Sequence, residues 1–368
     1  MSYNYYYIDD DPEALISETA KGLSIRKNFI NVLPFQHKLW NKEIEFLKSR
    51  QSEFDGILID WKLNKKNDTL EEADYNVEAL IQQLRTLINK GEFKDLPVVL
   101  CSAEYDFRKK FEKESTAQDL FDTVYEKNDF DQMKETVINQ LFALSKAYID
   151  IRNQRNIDTV LGKKDSDIDY RIQDHILNII QEQYPDHEIV RFILQNLISV
   201  SGLLIDKYIL ASRLGIDIEG SGDEWSKLLI QIDPFQYKGI LHEGWPRWWA
   251  ADLINWWREN MDSELGDLLA EDRVSKLNHK FSLNLCVASK QEKCSSSLFW
   301  TICKKTKKPI SLKDAILSSE DFPKVPWQED QYFSIDTALN EPTSNIHSLD
   351  RDKIEKLKKL HTRARDAK

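Results

Sequence analysis

The sequence predicts an α/β fold: a doubly wound, five-stranded parallel sheet followed by a mostly α-helical C-terminal domain. Short apolar runs, each closed by polar or turn residues, recur through roughly the first 150 residues. Stretches of helical period separate these runs, and such alternation is the pattern of a parallel sheet with crossover helices. Beyond the last of them helical signals dominate and strand-like runs become scarce.

The elements follow in order. Tyr5-Tyr6-Tyr7-Ile8 favours a strand, and Asp9-Asp10-Asp11-Pro12 follows at once. Carboxylates crowded at the end of a buried strand repel one another and are costly unless a cation neutralises them. A hard divalent ion such as Mg²⁺, which takes one or two carboxylates and keeps several waters, suits this cluster. The plainer alternative is that Asp9 to Asp11 cap the helix that Pro12 and Glu13 open, expected to run to Leu23. Asn28 to Phe35 reads as a second strand and Leu39 to Glu53 as a second amphipathic helix. Phe54-Asp55-Gly56-Ile57-Leu58-Ile59-Asp60 reads as a third strand, apolar through its centre and ending on a carboxylate. In open parallel sheets chemistry gathers beyond the carboxyl ends of the strands, so Asp60 stands where a reactive group would stand. Its plain alternative is a loop cap. A polar loop from Asn64 to Asp74 leads to a helix over Asn76 to Asn89, with Val77, Leu80, Ile81, Leu84 and Leu87 at helical spacing. Pro97 to Cys101 is a fourth buried strand, ending on Ser102-Ala103. Phe107 to Phe121 reads as helix, Thr123 to Glu126 as a fifth strand ending on Lys127, and Asp131 to Arg152 as the last helix.

The polar residues at these strand ends form a set suited to phosphoryl transfer. Asp60 is the candidate nucleophile, its product an acyl phosphate. Asp10, Asp60 and a water held by Asp9 are candidate partners of Mg²⁺, which offsets charge on the phosphoryl oxygens. The Ser102 hydroxyl and the Lys127 ammonium each suit one phosphoryl oxygen.

In this pattern residues 1–152 resemble a response-regulator receiver domain. That family carries an acidic pair after strand one, a phosphoacceptor Asp after strand three, Thr or Ser after strand four and Lys after strand five. Asp9-Asp10, Asp60, Ser102 and Lys127 fill these places in order, with the small Ala103 after Ser102. The resemblance implies a flavodoxin-like strand order and Mg²⁺-dependent transfer onto Asp60 from the phosphohistidine of a sensor histidine kinase or phosphotransfer protein. Two positions depart from the family: Asn128 stands where Pro is usual, and Val124, beside Tyr125, where a switch aromatic often sits. These bear on the output face and leave the phosphoacceptor chemistry untouched. The lifetime of the phosphoryl group depends on residues flanking Asp60, Lys62 and Glu104 among them.

Composition narrows the class. The formal charge of −11 over 368 residues argues against a general nucleic-acid or membrane-surface binder. Cys101, Cys286, Cys294 and Cys303 make no disulfide framework in a chain this long. Met1-Ser2-Tyr3-Asn4 lacks the start of a signal peptide, and no long uncharged apolar run is present, so the expectation is a soluble, cytoplasmic protein.

After a polar linker over 153–169, residues 170–350 read as a mostly helical, Trp-rich domain and 351–368 as a basic amphipathic tail. Tyr170 to Tyr184 is one helix. His187 to Leu214 is apolar nearly all round, as in a core helix or a homodimer interface. Leu210 to Ile216 faintly suggests the turn of a DNA-reading helix-turn-helix, but the acids of Asp217 to Glu224 oppose it. Pro246 suits the first turn of a helix placing Trp249, Leu253, Trp256 and Trp257 on one face, read first as an aromatic core and second as a protein-docking surface. Cys286, Cys294 and Cys303, in a strand-like stretch from Phe281, lack paired zinc-site spacing and read as buried small hydrophobes. No nucleotide loop, nucleophile elbow or metal motif is visible in this half. Two hypotheses follow: a non-enzymatic phosphorelay protein that docks partners or buffers phosphoryl groups, and a phosphorylation-switched effector whose C-terminal domain is an unfamiliar enzyme. On architecture alone, a receiver joined to a Trp-rich domain resembles components of bacterial defence phosphorelays of the Detocs kind, in which one receiver protein serves as a phosphate sink.

Overall fold

The computed structural model describes all residues except 1, 27–28, 64, 67–71, 104–118, 183, 320–323 and 367–368. The expected helix from Phe107 lies almost wholly outside the described residues, as do Glu104 and much of the loop from Asn64. The chain divides into two compact units, residues 1–196 with 238–245, and residues 197–237 with 246–368.

In the first unit, β1 (Tyr3–Asp9), β2 (Ile30–Gln36), β3 (Gly56–Asp60), β4 (Val98–Ser102) and β5 (Thr123–Glu126) form a five-stranded sheet in the order β2-β1-β3-β4-β5. Every pairing is parallel. Parallel sheets are covered on both faces, and the inner strands are accordingly apolar without alternation. The period of two still sorts their side chains. Tyr6, Ile8, Ile57, Ile59, Val98 and Leu100 join Leu47 of α2 (Trp40–Arg50) and Leu80, Ile81 and Leu84 of α3 (Val77–Asn89) in one core. Tyr5 points the other way, towards α4 (Phe130–Asn153), where its hydroxyl donates to the Leu141 carbonyl at 2.7 Å. Helix α1 (Glu13–Leu23) packs beside α4 on that face.

Beyond α4 the expected linker is folded. Helix α5 (Ile157–Leu161) buries Ile157, Val160 and Leu161, is capped by the Asn156 side chain, and ends at Gly162 with φ 68°. Residues 238–245 return to this unit: the Ile240 amide donates to the Val160 carbonyl at 3.1 Å, and Gly244 lies against Gln140. Helices α6 (Tyr170–Gln181) and α7 (Asp186–Ile193) also belong to the first unit. The first compact unit thus runs on through residue 196. The cause is a buried polar network at the amino ends of β4 and β5. Arg85 donates to Asp95 at 3.1 Å and to Asp122 at 3.4 Å, Tyr148 donates to Asp122 at 2.7 Å, and Asp95 takes both the backbone and the ring of His187 at 3.0 Å. Burial alone would lift the Asp95 carboxyl, but its bonds from His187 and Arg85 hold it below its ordinary value.

The second unit is mostly helical with short two-residue strand pairs. The apolar stretch expected as one helix from His187 to Leu214 is broken. After α7 comes one π-helical turn, Leu194–Ile198, then a short strand, Leu204–Ile205, and a new helix, Lys207–Leu214. The break has local causes. A Cβ on Gly202 would meet the Trp327 carbonyl oxygen at 1.9 Å, and Asp206 caps the new helix by accepting from the Tyr208 and Ile209 amides at 2.9 Å. The Trp-rich segment is a core, as its first reading held. Trp248–Trp249 pairs with Leu204–Ile205, Ala250–Met261 is the helix, and Leu253 and Trp257 are fully buried. Trp256 stacks on Phe281 with centroids 5.9 Å apart. Cys294 and Cys303 are buried as expected; Cys286 is exposed, because its two-residue strand lies at the surface. From Phe281 to Cys303 the stretch is largely irregular. In the C-terminal helix Ser348–Asp366, Ile354 is buried against Ile316 and Phe333, so the start of the tail is part of a small core. Among the described residues no helix is long and apolar enough to cross a membrane.

Gly56 has no room for a side chain: a Cβ would sit 2.3 Å from the Tyr5 ring. Gly56→Ala is expected to cost roughly 1–3 kcal/mol through overpacking, read as a lowered melting temperature.

Candidate functional site

The strand order reverses between β1 and β3, and ligand sites of open α/β sheets lie at such switch points, outside the carboxyl ends. The register sets two acids side by side there. Ile8 is opposite Ile59, so Asp9 and Asp60, the last residues of β1 and β3, come next in line. Asp10 follows directly. Ligand oxygens of Asp9, Asp10 and Asp60 all lie within 4.8 Å of one another, and these residues are 1 %, 4 % and 7 % exposed.

Lys127, just past β5, joins the cluster. Its Nζ lies 2.7 Å from Asp9 Oδ2 and 2.7 Å from Asp60 Oδ1, and 3.8 Å from Asp11 Oδ2. Three further oxygens are held by the backbone. The Asp11 amide donates to Asp9 Oδ1 at 3.0 Å, the Lys62 amide to Asp60 Oδ2 at 3.0 Å, and the Lys65 amide to Asp10 Oδ2 at 2.7 Å. The Tyr7 hydroxyl donates to Asp9 Oδ2 from inside the sheet, and the Lys65 ammonium pairs with Asp11. Ser102 ends β4, is buried, and is in register with Glu126, the residue before Lys127. The structure thus brings Asp9, Asp10, Asp60 and Lys127 into one cluster and sets Ser102 at the end of the adjoining strand.

Burial raises the Asp60 carboxyl to about 6, with Lys127 opposing the rise and Asp9 adding to it. Burial also pulls on the Lys127 ammonium, but Asp60 and Asp9 hold it above its ordinary value. The Tyr7 phenol is pushed up by burial and then by Asp9, so it remains a donor. Among the described residues, four carboxylates (Asp9, Asp10, Asp11, Asp60) face two ammonium groups (Lys65, Lys127), leaving negative charge uncovered. Oxygen-only donors, buried and crowded, with charge still to balance, fit a hard divalent cation such as Mg²⁺.

Two participants escaped the sequence reading. Tyr7 lies two residues before Asp9 on the same strand face, a relation the period of two makes visible. Lys65 sits in an irregular loop and leaves no such signal. At the departures noted above, Val124 packs into the sheet core and the Tyr125 hydroxyl donates to Gln140 at 2.6 Å, a buried aromatic one residue beyond the family's switch position.

Fold and site together are compatible with a receiver-like α/β domain bearing a buried acidic cluster. No family model and no curated protein matches the chain. Among solved structures, the chain is similar to a putative pilus assembly-related protein of Burkholderia pseudomallei K96243, at 12% identity and a TM-score of 0.24, over 37% of this chain and 89% of that one.

The Asp60 shift has a stability consequence. A carboxyl raised in the folded state is ionised at a cost that appears as pH rises above its unfolded value near 4 and is complete above about 6. In EDTA at pH 7.5, Asp60→Asn is expected to be more stable than wild type by roughly 1–3 kcal/mol, the gain shrinking to nothing as pH falls from 6 to 4. Thermal melts across that range check it.

Proposed function

We propose that Asp60 accepts a phosphoryl group from a phosphohistidine on a sensor histidine kinase or phosphotransfer protein, with Mg²⁺ held by Asp10 and Asp60 directly and by Asp9 through water. The observation that carries this reading is the Lys127 ammonium bridging Asp9 and Asp60 beside Asp10, at the carboxyl ends of parallel strands. Bound Mg²⁺ would supply positive charge to the incoming phosphoryl oxygens.

The chain's own residues do the rest. An Asp60 carboxylate oxygen attacks phosphorus; the new P–O bond forms as the P–N bond breaks, its electron pair leaving with the imidazole. Lys127 and the Ser102 hydroxyl each take one phosphoryl oxygen. Lys127 also exchanges a carboxylate partner for a phosphoryl partner, so its charge stays neutralised throughout. Tyr7 and the Asp11 amide fix Asp9, which is why Asp9 is assigned the outer, water-mediated place. The second unit then docks partners or buffers signal flow without chemistry of its own, in a bacterial phosphorelay of the defence kind that the architecture resembles.

Intact-mass spectrometry after incubation with Mg²⁺ and a small phosphodonor tests this. Wild type is expected to gain one phosphoryl group, and Asp60→Ala or EDTA to abolish it; absence of any adduct, with a histidine-kinase donor included, would sink the reading. Mg²⁺ at 100 times its Kd is expected to stabilise wild type by about 2.7 kcal/mol and to leave Asp10→Asn nearly unmoved.

A further inference from the structure

The second unit carries a local cluster of basic residues within an acidic chain. Strands Thr301–Ile302 and Pro309–Ile310 form a hairpin whose turn contains Lys304, Lys305, Lys307 and Lys308, all exposed. Two of the neighbouring lysines are neutralised: Lys305 pairs with Glu341 and Lys293 with Asp336. Lys290, Lys307 and Lys308 form no ion pair among the described residues. All three line one cavity of about 410 Å³. Like charges gathered without counter-charge, in a chain of net charge −11, leave a local demand for an anion.

The same cavity is lined by apolar and aromatic residues, Tyr208, Ile216, Ile218 and Pro309 among them. Tyr208 is 39 % exposed, and the Lys207 ammonium lies 5.0 Å from its ring centroid. Asp217 and Glu219 also line it. A bare inorganic anion gains nothing from the apolar residues and is repelled by the two carboxylates. A ligand that combines phosphate groups, hydroxyl or amine donors and a flat aromatic ring satisfies all three kinds of residue in the lining. The volume lies in the range of small-molecule sites.

We propose that this cavity binds a nucleoside phosphate, with the phosphates on Lys290, Lys307 and Lys308, the base against Tyr208, and the sugar or base donors facing Asp217 and Glu219. The inference stands apart from the receiver reading and uses none of its residues.

The test is fluorescence titration of the full chain with N-methylanthraniloyl-labelled ADP, ATP, GDP and GTP, in EDTA so that the acidic cluster of the first unit takes no Mg²⁺-dependent part. Saturable binding is expected for at least one, displaced by the unlabelled nucleotide better than by pyrophosphate. The double variant Lys307→Gln/Lys308→Gln changes only exposed side chains and is expected to weaken binding tenfold or more; Tyr208→Ala is expected to weaken it about tenfold. Asp60→Asn should leave it unchanged, so that this result and the phosphoacceptor result are separable. The proposal falls if no nucleotide saturates, or if the double variant, with its melting temperature intact, binds as wild type does. It falls equally if pyrophosphate competes as well as nucleotide, which would mean an anion patch only, or if a single-stranded oligonucleotide binds far more tightly than any mononucleotide.

Discussion

Carboxylates packed within a few ångströms in a protein interior can share that space only if positive charge sits among them, and here Lys127 sits between Asp9 and Asp60. Coulomb attraction at these distances is strong wherever water is excluded. It neutralises Asp60 enough to keep its carboxyl ionised near neutrality despite burial. The arrangement in turn needs residues 9, 60 and 127 to meet, which only the parallel pairing of β1 with β3 and β3 with β4, and of β4 with β5, achieves. The sheet is therefore the means of placing charge, and the apolar strand interiors are what hold the sheet.

The two ends of the sheet resolve buried charge differently. At the amino ends of β4 and β5, Arg85 lies among Asp95, Asp122 and Tyr148, and Asp95 is further held by His187, so acids and bases are matched within the protein. At the carboxyl end, among the described residues, acids outnumber bases and the backbone amides of Asp11, Lys62 and Lys65 make up part of the difference. One end is closed by its own side chains. The other is left with capacity for something from outside, which is the physical distinction between a structural network and a site.

Much of the fold was legible because strand interiors and helix faces are periodic. Thr123 to Glu126 was read to the residue, and the strand ending at Asp60 differs only in its start. The acids and Lys127 were legible as the polar residues closing those runs. The amino-end network was not: Asp95 and His187 are 92 residues apart, and such a pairing leaves no periodic trace. The break between His187 and Leu214 was hidden for another reason. A stretch apolar on every side gives the same signal whether it is one buried helix or several buried pieces, and the close approach of Trp327 to Gly202 comes from far along the chain.

Residues 238–245 have a consequence for how the molecule is divided. They cover Gly162 and Gln140 of the first unit, yet follow some forty residues of the second in sequence. No single scission of the chain releases the first unit whole. Cutting after residue 196 strips this cover from α4 and α5, and cutting after 245 carries a stretch of the second unit along. A fragment that holds every residue of the first unit must therefore carry residues 197–237 as well.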